Sequence, residues 1–248
     1  MREIAQNIIV LNEVESTNNY ANQLILSNAA EEGTVVLTQF QKKGKGQLRN
    51  SWESEAGKNL LASIILFPNF LKVENQFLIS KLISLSILEF LETEIDNVSI
   101  KWPNDIYVGN KKIAGILIEN SIKGNKLFSS VLGIGLNLNQ ENFISDAPNP
   151  VSLKNLTGKN FEITIVATKI VDSIVYWYNK LKAGNYSEIN SVYFSKLFRN
   201  NEWHKYSKQG NVFEGKIVGI DDFGQLQIEK RDGKVEEFMF KEVEFLIG

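Results

Sequence analysis

Lys101-Trp102-Pro103-Asn104-Asp105-Ile106-Tyr107-Val108-Gly109-Asn110-Lys111-Lys112-Ile113-Ala114-Gly115-Ile116-Leu117-Ile118-Glu119 is the stretch that decides the fold. Residues 106–108 read as a short strand, Gly109-Asn110 as a two-residue hairpin turn, and 112–119 as the returning strand. Gly124-Asn125 turns the chain again into a strand over 127–136. Strands joined by such tight turns form an antiparallel meander. Pro103 holds Trp102 in an extended conformation and breaks the strand just where Asn104 and Asp105 follow. Lys112 opens a strand that is otherwise apolar. Its ammonium either points inward to meet a bound anion or sits in solvent on a hairpin edge.

Outward from the meander, both helical and extended patterns recur. Residues 8–11 and the β-branched run 34–38 read as strands, and 60–67 is so continuously apolar that it reads as a strand buried on both faces. Ser16 and Thr17 are N-cap types for a helix to about Leu26, and a helix is expected over 75–91. Val166, Ile170, Ile174, Trp177 and Leu181 share one helix face, so Tyr176, Trp177 and Tyr178 read as the core and edge of a helix; another helix is expected over 188–198. From Glu202 the texture changes to short strands at 212–220, 226–230, 236–240 and 243–246, with turn residues at Asp221-Asp222-Phe223-Gly224 and Asp232-Gly233. The fold class is therefore α+β, with 1–202 as a domain built on a mixed or antiparallel sheet and 203–248 as a small β-barrel.

Composition narrows the chemistry. The chain has no cysteine, which excludes disulfides and thiolate catalysis. A net charge of -2 argues against a global field for nucleic acid. No apolar run reaches the ~20 residues of a membrane helix, and the first residues lack the pattern of a signal peptide, so the cytoplasm is expected. His204 is the only histidine and stands in the small unit beside Trp203, which disfavours a Ser-His-Asp triad. No Walker-type phosphate loop is present.

Three constellations carry chemistry. Gln41-Lys42-Lys43-Gly44-Lys45-Gly46-Gln47-Leu48-Arg49-Asn50-Ser51-Trp52 combines glycines, cations and a flat indole. It reads either as an anion-binding nest beside an aromatic platform or as a solvated basic loop. Residues 42–51 bury little surface and repel themselves, so this loop is expected to be mobile until an anion binds. The second constellation is Lys101 through Asp105 with Lys112. The third is Leu132-Gly133-Ile134-Gly135-Leu136-Asn137, whose strand glycines mark either close backbone approach or a bulge. The Asn137 amide both donates and accepts, as adenine recognition requires.

In this order, Glu15-Ser16-Thr17-Asn18, the 41–52 loop, Asn59-Leu60, Lys101 to Asp105, Lys112 to Leu117 and Gly133 to Asn137 resemble the bacterial biotin–[acetyl-CoA-carboxylase] ligase family, strongly over 8–140. The resemblance implies an SH2-like α+β catalytic domain with flanking helices and a small SH3-like β-barrel at the C-terminus. It implies an ATP-dependent ligase that forms biotinyl-5'-AMP and passes biotin to a lysine of a carboxylase biotin carboxyl-carrier domain. Mg²⁺ comes with ATP, and a homodimer is left open. Too few residues precede Ser16 for the helix-turn-helix of the repressor members, so no nucleic acid or membrane partner is expected.

The resemblance also implies roles. Ser16, Thr17, Asn18, Gln41, Gly44, Lys45, Lys112 and Gly115 surround biotin. Lys45, Arg49, Trp52, Asn104, Lys112 and Asn137 surround ATP. Lys112, Lys101 and Asp105 are the catalytic candidates: Lys112 between carboxylate and α-phosphate, Lys101 on the phosphate chain, Asp105 as orienter or base. The family loop commonly reads Gly-Arg-Gly-Arg-x-Gly-Arg, whereas here Gln47, Arg49 and Asn50 depart from it, so Arg49 is expected to supply charge from a shifted position. The rival readings are a lipoate or octanoyl ligase or transferase, disfavoured by Lys101 to Asp105, and a non-catalytic biotin-binding regulator, disfavoured by Lys112.

Overall fold

The computed structural model describes residues 7–47, 50–144 and 149–247. In chain order they form β1 (Ile8–Val14), α1 (Thr17–Leu26), β2 (Val35–Gln41), β3 (Leu60–Leu66), α2 (Phe77–Glu92), β4 (Val98–Lys101), β5 (Asp105–Val108), β6 (Lys111–Lys123) and β7 (Lys126–Leu136). There follow α3 (Leu153–Thr157), α4 (Ile163–Lys182), α5 (Tyr186–Ser195), β8 (Trp203–Lys208), β9 (Asn211–Ile220), β10 (Leu226–Lys230), β11 (Val235–Phe238) and β12 (Glu244–Phe245). Among the described residues, no helix is long and apolar enough to cross a membrane.

A seven-stranded sheet runs β1-β2-β3-β7-β6-β5-β4, parallel only between β1 and β2. The mixed sheet and the meander agree with the sequence reading. Every residue of β3 is buried, because both faces of this central strand are covered. Leu60, Ala62, Ile64 and Leu66 point into the main core with α2 and α4. Ile65 points the other way, into a smaller cluster with Ala21 of α1. Val166, Ile170, Ile174, Trp177 and Leu181 are all buried, so the 3.6-residue spacing marked the inward face of α4 correctly.

Several expectations need correcting. α5 ends at Ser195 rather than 198. Ser16 stands at the N-cap of α1 in extended backbone, but its side chain makes no capping bond. The C-terminal strands form a five-stranded antiparallel sheet, β11-β10-β9-β8-β12, with β11 and β12 as separate edges. The expected barrel is therefore not closed, since β12 is only two residues long and its register pairs only with β8.

One irregularity positions the site. The β5–β6 register shifts between Ile106 and Tyr107, so Asp105 pairs with Gly115 and Ile106 with Ala114, but Tyr107 pairs with Lys112. Two residues of β6, Ile113 and Ala114, thus oppose Ile106, and all three lie in the main core. On a regular strand Lys112 would follow Ala114 to the core side. The bulge turns it to the opposite face instead.

Candidate active site

A row of cross-strand partners crosses that opposite face: Lys101 opposes Asp105, Asp105 opposes Gly115, Gly115 opposes Gly135, and Gly135 opposes Leu61. The next row holds Leu117, Gly133 and Ser63. Over these rows lies a cavity of about 670 Å³. Its wall includes Ser16, Thr17, Asn18, Gln41, Lys45 and Trp52, and also Lys101, Asn104, Asp105, Lys112, Gly115 and Asn137. Residues chosen from separate motifs thus meet in one place. Gly44 does not line the cavity; its carbonyl accepts from the Trp52 amide at 2.9 Å and so supports the loop from behind. Arg49 lies outside the described residues.

At one end the wall is a connected polar network. The Thr17 amide (2.8 Å) and hydroxyl (3.1 Å) both donate to Gln41 Oε1. Ser63 Oγ lies 2.7 Å from Thr17 Oγ1 and 2.6 Å from Asn18 Oδ1. Asn18 Nδ2 donates to the Leu117 carbonyl and to Glu119 Oε2, both at 3.2 Å. Gly133 explains this fit: a Cβ there would run into Asn18. These partners fix each amide and hydroxyl in one orientation, which suits recognition of a small polar ring.

The middle is a glycine seat. Gly115 and Gly135 sit directly opposite each other, and a Cβ on either would collide with the Trp52 indole. Strand glycines here serve close approach of an aromatic ring, the first of the two readings their sequence allowed. Lys112 Nζ lies 5.8 Å from the Trp52 ring centroid and 2.7 Å from Asp105 Oδ1. Lys101 Nζ lies 5.1 Å from the rings of both Tyr107 and Phe245. Burial pushes the Lys101 ammonium below the usual lysine value, while Asp105 pulls it back up. Two lysines and one carboxylate leave this corner with surplus positive charge, a setting for an anionic ligand.

The far end carries unpaired polar atoms. Asn137 Nδ2 donates to the Val151 carbonyl at 3.1 Å, but Asn137 Oδ1 is buried with no partner. Trp52 Nε1 is also buried and unpaired. Each such atom costs roughly 1–3 kcal/mol. Asn104 lines the cavity and is also tied to β6: its side-chain amide donates to the Ile116 carbonyl, and its backbone carbonyl accepts from the Ile116 amide. It therefore clamps the β5 entry to β6. Among the described residues, no cluster of three or more His, Cys, Asp or Glu side chains is arranged to hold a metal.

Sequence reading missed Ser63, Glu119, Pro150 and Phe240. Ser63 was hidden inside an apolar run. Phe240 reaches the cavity wall from the C-terminal segment, which no local pattern reveals.

This geometry can be compared with known proteins. Residues 206–246 match the model of the biotin protein ligase C terminal domain. The chain is 28% identical to the bifunctional ligase/repressor BirA of Bacillus subtilis, over 93% of this chain and 71% of that one. It is 26% identical to the biotin–[acetyl-CoA-carboxylase] ligase of Paracoccus denitrificans, over 91% and 95%. The solved biotin protein ligase of Aquifex aeolicus, in complex with biotin and ATP, superposes with a TM-score of 0.79 at 29% identity, covering 97% of this chain and 98% of that one. With residues 10–137 of its 248 matched by the family model, the chain belongs to the biotin/lipoate A/B protein ligase family.

Proposed function

We propose that this chain is a biotin–protein ligase, with catalytic unit 1–202 and small unit 203–248. It activates biotin with ATP and transfers it to a lysine of a carboxylase carrier domain. The observation that carries this reading is the pair of buried, unpaired atoms Asn137 Oδ1 and Trp52 Nε1, in the same wall as the Lys112 ammonium. An adenine amino group supplies the donor that Asn137 Oδ1 lacks. The similarity of the C-terminal residues to the biotin protein ligase C terminal domain supports biotin over lipoate.

In the first step a biotin carboxylate oxygen attacks the α-phosphorus of ATP. The bond from that phosphorus to the bridging oxygen breaks, and pyrophosphate leaves. Two anions must approach each other, so barrier lowering comes from positioning and fixed positive charge. Lys112 carries that role, and its bulge holds it on the cavity side. Thr17, Gln41 and their partners hold the biotin ring, with Ser16 and Asn18 beside them. Lys101 and Lys45 face the phosphates, whose charge a Mg²⁺ ion carried by ATP would further offset. In the second step the carrier amine attacks the acyl carbon, the bond to AMP breaks and an amide forms. Asp105 orients that amine or takes its proton.

The test is transfer of labelled biotin to a purified carrier domain, with and without ATP and in competition with lipoate. ATP-dependent labelling of one lysine is expected. Labelling by lipoate instead, or none by either acid, overturns the reading.

A further inference from the structure

Trp102 belongs to the motif that decides the fold, yet the two reaction steps above give its indole no role. Its side chain points toward the C-terminal sheet. Trp102 is 4% exposed, and its Nε1 donates to the Gly224 carbonyl at 2.8 Å, in a bond buried at both ends. Gly224 belongs to the turn between β9 and β10. That turn is closed tightly: Gln225 N donates to Asp221 Oδ1 at 2.7 Å, Asp221 N to the Gln225 carbonyl at 3.0 Å, and Gly224 N to the Asp221 carbonyl at 3.1 Å. Gly224 has φ +91, and a Cβ there would press into the Phe77 ring at the start of α2. The carbonyl is therefore held from two sides. The Phe240 ring meets the Trp102 ring edge to face, with centroids 6.3 Å apart.

We propose that Trp102 is a positioning residue: its bond to Gly224 makes the C-terminal sheet a brace for the β4–β5 turn, and so for the nucleotide half of the site. The turn carries Lys101 on one side of Trp102 and Asn104, the clamp on Ile116, on the other. Trp102, Pro103 and Asn104 line the active cavity and also a second cavity of about 650 Å³ at the junction with the C-terminal sheet. Without the anchor, Trp102 has room to swing into that second space and carry Lys101 with it. The contacts assigned to the biotin ring, Thr17 and Gln41, come from α1 and β2 on the far side of the sheet order from β4 and β5. Loss of the anchor therefore acts on ATP and spares biotin. This rests on the ligase reading above.

The test uses the whole chain. Trp102→Phe keeps an aromatic ring and removes the donor together with part of the indole's packing. Gly224→Ala attacks the acceptor through φ and Phe77. For Trp102→Phe the KM for ATP is expected to rise about tenfold, the size of one buried hydrogen bond lost with its carbonyl left unpaired, while the KM for biotin stays unchanged. The double variant should be little worse than the worse single, because both remove the same contact. Wild-type KM values in Trp102→Phe overturn the brace, as does an equal loss for biotin and ATP, which a general loosening would give. If Gly224→Ala does not fold, Trp102→Phe alone still decides. A wild-type chain that releases no pyrophosphate with biotin and ATP overturns the ligase reading, and the brace for ATP with it. A normal wild type with an unaffected Trp102→Phe overturns the brace alone.

Discussion

Lys112 and Gly115 stand three positions apart on β6 and still face the same side of the sheet, where the Lys112 Cε lies 3.4 Å from the place a Gly115 Cβ would take. Odd spacing on a regular strand puts two residues on opposite faces. The bulge opposite Ile106 removes that conflict. It spends two residues on the core side and returns Lys112 to the cavity.

Replacement of Lys112 should therefore be a chemical lesion rather than a folding one. Lys112→Ala should slow pyrophosphate release on the order of 10²–10³-fold, as for other preorganised electrostatic contacts. Lys112→Met, which keeps the packing of the stem, should be nearly as slow. Single-turnover release of pyrophosphate measures both. A near-normal rate in either variant would remove Lys112 from the mechanism.

The glycine seat gives a second expectation. Gly135 lies within β7 and has no left-handed backbone, so alanine is conformationally acceptable there. Alanine in a strand even recovers roughly 0.5–1 kcal/mol of backbone entropy. The added methyl, however, runs into the Trp52 ring. Gly135→Ala should stay folded, with thermal stability near wild type, while its KM for ATP rises several-fold and its tryptophan emission shifts. Unchanged ATP kinetics would mean that the indole is not a nucleotide platform.

The two ends of the cavity should separate in kinetics. Gln41→Ala removes the acceptor shared by the Thr17 amide and hydroxyl. It should raise the KM for biotin more than that for ATP. Asn137→Ala removes the unpaired acceptor and should do the reverse. The crossed pattern is the point of the experiment, and equal effects in both variants would show the subsites wrongly divided.

Stability should depend on pH through Lys81. This lysine of α2 is 5% exposed, donates to Asn190 Oδ1 at 2.8 Å, and lies 5.4 Å and 5.8 Å from the Phe77 and Tyr193 rings. Burial lowers its pKa to about 8, against the partial pull of Asp222 and Asp221. Between about 8 and the ordinary lysine value of 10.5, the unfolded chain holds a proton that the folded chain has lost. Stability should thus rise with pH across that window, by on the order of 3 kcal/mol if Lys81 acted alone. Tyrosines act oppositely above pH 10: burial raises Tyr206 to about 12, so the folded chain keeps its proton longer and stability falls. Denaturant titrations should show a maximum near pH 10. In Lys81→Met the rise should shrink to the part that Lys101, also lowered by burial, contributes, and the fall should remain. A wild-type profile flat from pH 8 to 10 would contradict this.

Much of this was readable in the sequence, and the failures have physical causes. The apolar run at β3, the hairpin turn at Gly109-Asn110 and the helical stripe of α4 are local patterns that each imply one face. The site motifs were readable for the same reason, since glycines in a strand and a lysine at its start are exceptions to those patterns. The bulge was not readable, because both Ile113 and Ala114 suit a core and nothing marks the extra residue. β4 and α3 were missed because four- and five-residue elements carry too little periodicity. The bond from Trp102 to Gly224 spans 122 positions, and only the folded chain brings its ends together.

The last expectation concerns Lys45. Its Nζ lies 2.5 Å from Asn19 Oδ1 and 3.6 Å from Glu119 Oε1, so the ammonium is tied to α1 and β6. Close by, the Gly46 amide donates to the Asn50 carbonyl at 2.6 Å, and Lys45 bridges to Ser51. The two arms of the loop are thus drawn together over the cavity, even though the loop is rich in glycine and charge. The Lys45–Glu119 pair is partly exposed, at 42% and 34%, and such pairs contribute only about 0.2–1 kcal/mol. A phosphate in the cavity can therefore take Lys45 from Glu119 at small cost. If the loop closes on the adenylate, the Gly46 and Trp52 amides should exchange more slowly when biotin and ATP are added together than with either alone. Lys45→Ala should release free biotinyl-adenylate faster while thermal stability barely moves. Closure also keeps water from a mixed anhydride. Amide exchange that is identical with and without ligands would leave the loop as a rigid wall, and Lys45 as its fastening rather than a phosphate contact.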